Sequence, residues 1–542
     1  MITALELENV RIFQGSGWSF PLPPLTVICG TNSSGKSTLL KSLLLLRQSQ
    51  GFRGSQEIFD GRLRFSGSEA DLGSFQSFVS QNNQTLDITL SLTIADKIGS
   101  SLLSRLREPG IAEKTIKKES NPRGTFEDYQ LRSTFVFGVK SLSGQLPSAG
   151  EEGFYGGESS APTGRIALLK NAIFEVFQEN KVILSWSLES TWSKPGGEKN
   201  VERFELLVPR QFLNDWTKPY GIGFSELGDG SDKEFARFEV RLRGLMPASM
   251  RVKMLPEKTK KGKEAATRLV DWPLPPPIEL ALNDLRSALS RIHYLGPLRT
   301  PAKRYYIAHL DASPSMDSEG EFLPYILREM REKNVLGVLL RIPTENREES
   351  LVRALNSWLY YFRSGQRVDQ PDQVGEIELQ ATKGVLLELK LQGQLGKIRH
   401  ALADSGFGYS QVIPILVRGL LAEPGDTLIV EQPELHLHPA LQVRLADFFV
   451  EMIRLGKQVL LETHSEHLVN AIRVLAAEDA SGNIARNCGI IFVDLENNSP
   501  QIRRLEIQPD GTIPEWPSSF FGDSLGLAGR LLKAQSRTKY SE

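Results

Sequence analysis

The chain has 542 residues, with 64 Lys and Arg against 65 Asp and Glu and a formal net charge of -1. That length is ample for burying a core and suggests two or three structural units, while the balanced charge supplies no global field toward nucleic acid or an acidic membrane, so any such contact must come from a local patch. Cys29 and Cys488 are too few for a disulfide framework or a zinc ribbon, the start MITALELENV lacks the basic end and apolar run of a signal peptide, and no apolar stretch approaches the ~20 residues of a membrane span, so a cytoplasmic protein is predicted.

The opening ITALELENVRIF alternates apolar and polar residues, as a half-buried strand does, and a Gly/Pro loop leads to the short apolar run LTVIC. GTNSSGKSTLLKSLLLL follows at once, and the Leu spacing over residues 37–48 predicts a mostly buried helix, giving the order strand, glycine loop, helix. Residues 85–245 read as β-rich, with DITLSLTI, YQLRSTFVFGV, ALLKNAIFEVF, KVILSWSLES and EFARFEVRLRGL set between polar or glycine-rich stretches. Within them the stretch 143–164 is poor in large aliphatics and is expected to be mobile. The stretch 251–268 carries Arg251, Lys253, Lys258, Lys260, Lys261, Lys263 and Arg268 against two Glu; it reads as a solvated loop or as a phosphate contact.

Helical patterning returns at IELALNDLRSALSRI, SEGEFLPYILREMREKNVLGVLL and ENREESLVRALNSWLYYF, in pieces too short for sustained heptads, which argues against a long coiled coil. The expected fold is α/β, with a β-rich subdomain and a short helical insertion. The expected boundaries are 1–95 for the N-terminal lobe, 96–275 for the β-rich insertion, 276–370 for the helical segment and 371–542 for the C-terminal lobe.

Gly30-Thr31-Asn32-Ser33-Ser34-Gly35-Lys36-Ser37 matches GxxxxGK[ST] in full between a predicted strand and a predicted helix, with Thr38 next. The glycines let backbone N–H groups curve around a phosphate at a helix N-terminus, Lys36 reaches β/γ oxygens, and the Ser37 hydroxyl can ligate Mg2+. ATP and Mg2+ are the expected ligands. A strand-borne carboxylate near the metal is also needed, and TLIV ending in Glu431 is the candidate, followed by Gln432, Pro433 and Glu434. A second apolar strand, QVLL, ends in Glu462-Thr463-His464-Ser465, where a strand-end His can donate to a γ-phosphate or serve as a cap or core histidine. Upstream, Asp404-Ser405-Gly406-Phe407-Gly408-Tyr409-Ser410-Gln411 precedes an apolar helix and offers N–H groups and a hydroxyl to an anion; the plain alternative is a strand-to-helix turn.

This order of P-loop, glycine-rich signature, acid-ended strand and strand-end His resembles the ABC ATPase heads. NVRIFQG, GTNSSGKSTLLKSLLLL, DLGSFQSFV, HYLGPLRTPAKRYY, DSGFGYSQVIPILV, VEQPELHLHP and LLETHSEHL resemble more narrowly the SMC-like prokaryotic AAA ATPases that include the ATPase of Septu and Septu-like retron defence systems. The resemblance implies that Gly408 and Ser410 touch the γ-phosphate on an opposite subunit, that His464 is the switch histidine, and that Gln76 is the Q-loop residue at the metal. It implies a homodimer or higher homo-oligomer through the ATP site. Arg11, Arg299 and Arg304 read either as ligands of nucleotide, partner or nucleic acid or as structural cations.

One departure bears on mechanism. Where most ABC heads have Asp then Glu, this chain has Glu431 then Gln432, and an amide cannot take a proton from water. Glu434 substitutes as base, or turnover is slow and an ATP-bound dimer persists. The stretch after His464 is too short for a fused Toprim nuclease, and no metal-spaced His or Cys set occurs, with seven His in total. The effector is therefore expected in trans: an HNH nuclease, with a reverse transcriptase and its RNA–DNA product as further partners implied by the resemblance. The alternative is a DNA-repair or recombination ATPase that contacts DNA through 251–268 and 105–123.

Overall fold

The computed structural model describes residues 1–50, 61–67, 70–96, 129–141, 165–191, 203–217, 234–254, 268–307, 319–320, 323–332, 336–338, 348–367, 377–382, 386–392, 399–404, 407–496, 499–517 and 530. Contacts divide the chain into two compact units, one of Met1–Pro21 with Lys41–Ser290, the other of Leu22–Leu40 with Arg291–Glu542. Both ends of the sequence are thus needed for the second unit. The stretches 143–164 and 105–123, residues 255–267 of the basic stretch, and Ser405 and Gly406 lie outside the described residues.

The first unit is built on a ten-stranded antiparallel sheet that runs from Trp18–Pro21 through Ile2–Glu8, Ile88–Asp96, Tyr129–Ser141, Arg165–Gln178, Lys181–Ser190, Phe204–Pro209, Phe235–Arg243 and Met246–Met254 to Arg268–Trp272. From Ile88 onward every strand pairs with its chain neighbour, the expected outcome for alternating segments joined by turns. Glu179 and Asn180, both at positive φ (47° and 62°), form the two-residue turn between the strands ending at Gln178 and starting at Lys181. One side of the alternation is aromatic: Phe174 stacks on its cross-strand partner Trp186 at 5.4 Å and meets Phe135 edge-on at 5.7 Å. Charged residues occupy other positions, and Arg237 reaches Glu189 at 3.1 Å and Glu205 at 3.4 Å. Arg251, at the head of the basic stretch, lies in the strand Met246–Met254 and pairs with Glu239 at 2.9 Å and Asp271 at 3.5 Å. It is a ladder cation, not part of a loop.

The second unit carries a six-stranded sheet in the order Ile292–Leu295, Thr427–Glu431, Gln458–Glu462, Leu25–Gly30, Cys488–Glu496, Ser499–Glu506. The first five strands are parallel and the last is antiparallel. Thr427–Glu431 and Gln458–Glu462 are buried at every position, which is why they read as unbroken apolar runs: parallel strands covered on both faces leave no polar side. Leu351–Ser364, Phe407–Leu421, Pro439–Arg454 and Glu466–Glu478 are helices whose apolar faces pack into one core with these strands, including Trp358 edge-on to Phe448 at 4.9 Å. The α/β class expected from the sequence is the class found. Among the described residues no helix is long and apolar enough to cross a membrane.

Candidate nucleotide site

In open parallel sheets, ligand chemistry gathers at the carboxyl ends of the strands. Here the strand Leu25–Gly30 ends there, and the helix Lys36–Gln48 starts six residues after Gly30. Gly30 has φ +140°, and a Cβ on it would sit 1.8 Å from the Val493 carbonyl oxygen of the adjacent strand, so no other residue fits. Ser33 at φ 62° and Gly35 at φ 94° turn the loop through left-handed conformations, the kind of succession that directs backbone N–H groups into a concavity. The Lys36 ammonium closes this loop, donating to the carbonyls of Gly30 (3.3 Å) and Thr31 (2.5 Å). Ser34 donates to Thr31 O at 2.8 Å, and the Thr31 hydroxyl donates to Asp494 at 2.9 Å. Asn32 and Ser33 are exposed at the loop's rim, whereas Ser34, Lys36 and Thr38 are buried. Burial lowers the Lys36 pKa, and the carboxylate of Glu462 opposes that shift.

Three carboxylates converge on the ends of the neighbouring strands, each with its own partner. Glu431 and Glu462 are register partners on adjacent strands, and Glu462 pairs in turn with Ile28 of the P-loop strand. Ser37 donates its hydroxyl to Glu462 Oε1 at 2.9 Å. Glu431 instead accepts the Tyr294 hydroxyl at 3.0 Å, from the strand on the far side. Glu434 accepts from the Thr463 hydroxyl at 2.8 Å and from the His464 backbone N–H at 2.7 Å, one bond to each oxygen. Burial raises the Glu434 pKa against these bonds. The His464 side chain is exposed, and partial burial with the Lys36 ammonium lowers its pKa, so the ring is neutral at pH 7.

Gln432 sits at φ 45° and donates its N–H to Glu462 O at 2.7 Å. A non-glycine residue in that conformation needs surrounding structure to hold it. Arg299 supplies that hold. Only 4% exposed, its guanidinium donates to Glu431 O at 2.8 Å and Gln432 O at 3.4 Å, while its own carbonyl accepts from the Gln411 side chain at 3.3 Å. Burial lowers the Arg299 pKa to about 10, against the pull of Glu434. Gln411 belongs to the helix Phe407–Leu421, which also carries Gly408 and the buried Ser410. A Cβ on Gly408 would lie 3.3 Å from His436 O, so the glycine permits the close approach of that loop.

Arg304 is an exposed cation paired with Asp404 at 2.8 Å. Gln76 lies in the first unit, exposed on the short helix Phe75–Phe78. Arg11, in the same unit, stacks its guanidinium over the Phe78 ring at 5.5 Å.

Residues 354–469 match the family model of the AAA ATPase domain. The matched stretch is well under half of the chain. It holds Gly408, Ser410, Glu431, Gln432, Glu434, Glu462 and His464, while the P-loop lies outside it, and the matched family implies nucleotide binding. No curated protein matches the chain. Among solved structures, an SMC head domain from Thermotoga maritima is 11% identical with a TM-score of 0.32, covering 93% of this chain and 99% of that one. An Smc head with an extended coiled coil, bound to the C-terminal domain of ScpA derived from Pyrococcus furiosus, is 10% identical with a TM-score of 0.35 and 99% of each chain covered. An SmcHead bound to the C-winged helix domain of ScpA is 11% identical at 0.33, covering 93% of this chain and 98% of that one. Likeness at this level bears on no activity or partner.

Sequence reasoning placed the P-loop and both acid-ended strands, and it missed two features. One is the Ser37–Glu462 bond, for which the signal was the second apolar strand ending, like the first, in Glu. The other is Arg299 as the clamp on the Gln432 turn, for which a lone Arg in a loop gives no signal of burial.

Proposed function

We propose that the chain binds ATP with Mg2+ and acts as a nucleotide-gated scaffold for a separate effector. The observation that carries the reading is the convergence of Lys36, Ser37 and the strand-end residues Glu462 and His464 on the carboxyl ends of two adjacent parallel strands. The donor set fits the ligand: a glycine loop shaped for phosphate, an ammonium at its mouth, and hard oxygen donors suited to Mg2+. When bound, the cation neutralises phosphate charge. The chain's own residues do the rest. Lys36 exchanges its loop carbonyls for phosphate oxygens, and the neutral His464 ring presents a donor beside it.

Gln432 can orient a water but cannot deprotonate it, so turnover that rests on it lacks general-base help worth ~10²–10⁴-fold and is slow. Glu434 accepts one bond on each oxygen, from Thr463 and His464, and keeps a lone pair on each for a proton; if it is the base, Glu434→Gln abolishes turnover with ATP binding retained. Gly408 and Ser410 meet the phosphate of a second copy, so ATP closes a dimer that persists. The resemblance of the motifs to Septu and Septu-like retron ATPases supports an HNH nuclease as the controlled partner, in prokaryotic anti-phage defence. Co-purification from the native operon with mass spectrometry tests the partner: an HNH protein should be retained, and recovery of recombination proteins in its place would reject the defence reading. Sizing with and without ATP tests the gate. Ser410→Arg should block the ATP-dependent dimer with ATP binding by the monomer nearly intact, and an oligomer indifferent to ATP and to this substitution would end the gating idea.

A further inference from the structure

We infer that the divalent cation accompanying the nucleotide is held by Ser37 together with Glu462, and that Glu431, the acid the sequence pattern offers for the metal, is instead a structural carboxylate. This rests on the nucleotide-binding reading above and assigns its metal-side residues.

Strand order comes first. Glu462 ends the strand directly beside the P-loop strand and pairs with Ile28, whereas Glu431 ends the next strand out. With neighbouring strands ~4.8 Å apart, the backbone of Glu431 starts about twice as far from the P-loop strand as that of Glu462. The side chains then lean opposite ways. Glu462 Oε1 accepts the Ser37 hydroxyl at 2.9 Å, on the phosphate side, while Glu431 Oε1 accepts the Tyr294 hydroxyl at 3.0 Å, from the outer strand Ile292–Leu295. Both carboxylates are 3% exposed, so neither can turn into water, and leaving its present partner would cost a buried charge its hydrogen bond.

The chemistry matches. Mg2+ takes one or two protein oxygens and keeps several waters. Ser37 and Glu462 stand one hydrogen bond apart, so a cation that takes the hydroxyl as a ligand has the carboxylate within reach, directly or through a bound water.

The experiment uses the full chain and two probes, ATP binding by calorimetry in excess Mg2+ or in EDTA, and Mn2+ affinity in the presence of ATP by electron paramagnetic resonance. Glu462→Gln should lose Mn2+ affinity by about 10–100-fold, the range typical when a metal-site carboxylate contact is removed, with ATP binding in EDTA retained. Glu431→Gln should keep the wild-type Mn2+ affinity and show only a lower melting temperature. The reverse pattern, or undiminished Mn2+ affinity in Glu462→Gln, overturns the inference. If Glu462→Gln does not fold, Ser37→Ala and Glu462→Asp decide: both should weaken Mn2+ binding with Glu431 untouched, and wild-type affinity in both rejects the assignment. A wild-type chain that binds ATP equally with and without Mg2+ rejects this inference alone. One that binds ATP under neither condition rejects the nucleotide reading as well.

Discussion

The two sheets of this protein use charge in different ways. In the ten-stranded antiparallel sheet, acids and bases meet across strands: Arg132 with Glu6, Lys170 with Asp87, Arg237 with Glu189 and Glu205, Arg251 with Glu239. These pairs are partly exposed, and an exposed pair of this sort contributes roughly 0–1 kcal/mol. In the six-stranded parallel sheet the carboxylates stand at strand ends, and their partners are hydroxyls and amides: Ser37 for Glu462, Tyr294 for Glu431, Thr463 and the His464 amide for Glu434. These carboxylates stand where the strands end, at the side of the sheet on which ligand chemistry gathers. The same side-chain chemistry serves register in one sheet and ligand capture in the other, because an antiparallel meander exposes the middles of its strands and a buried parallel sheet exposes only its ends.

The contrast is broken most sharply at the P-loop. Lys36→Ala should abolish measurable ATP binding and biological activity together with little change in melting temperature, since the acceptors of its ammonium among the described residues are two loop carbonyls. Calorimetry and a thermal melt on the same sample check this, and ATP affinity at the wild-type level would displace the site.

Arg299→Met should come next. Withdrawing a buried cation leaves Glu431 O and Gln432 O without their donor beside buried Glu434, a change worth about 3–5 kcal/mol of stability by chemical denaturation. A loss of under about 1 kcal/mol would mean that the Gln432 turn holds itself.

A smaller effect depends on pH. Burial lowers the Lys457 pKa to about 8, although its ammonium donates to Gly419 O at 2.7 Å. Between about 8 and the ordinary ~10.4 the unfolded chain binds more protons than the folded one, so stability rises with pH across that window, and the penalty is complete below it. Relative to Lys457→Met, the wild type should therefore gain up to about 3 kcal/mol from pH 7 to pH 10, as measured by denaturation at both values. A constant difference would show that the ammonium is not desolvated.

Arg237→Ala belongs at the bottom of the scale. Two partly exposed carboxylates share this cation, and its removal should cost about 1 kcal/mol or less and leave ATP binding alone. An effect on ATP binding would connect the antiparallel sheet to the site and dissolve the contrast drawn above.

Much of this was legible in the sequence wherever the determinant is local. The glycine and lysine spacing of residues 30–37, the apolar runs that end in Glu431 and Glu462, and the alternation of the β-rich region each specify their element within a dozen residues, because loop conformation and strand burial are set by neighbouring side chains. Arg251 shows the limit: it read as part of a basic loop because composition does not reveal that Glu239 and Asp271 stand opposite it.

What the tertiary structure alone decided is partnership. Ser37 meets Glu462 across 425 positions of sequence, and Thr31 meets Asp494 across 463. The glycine at position 30 is required by the Val493 carbonyl as much as by the phosphate loop. Sheet order set these meetings. The P-loop strand lies between Gln458–Glu462 and Cys488–Glu496, and no periodicity in the intervening chain encodes which strand will be its neighbour, since that choice is made by the collective burial of all six strands.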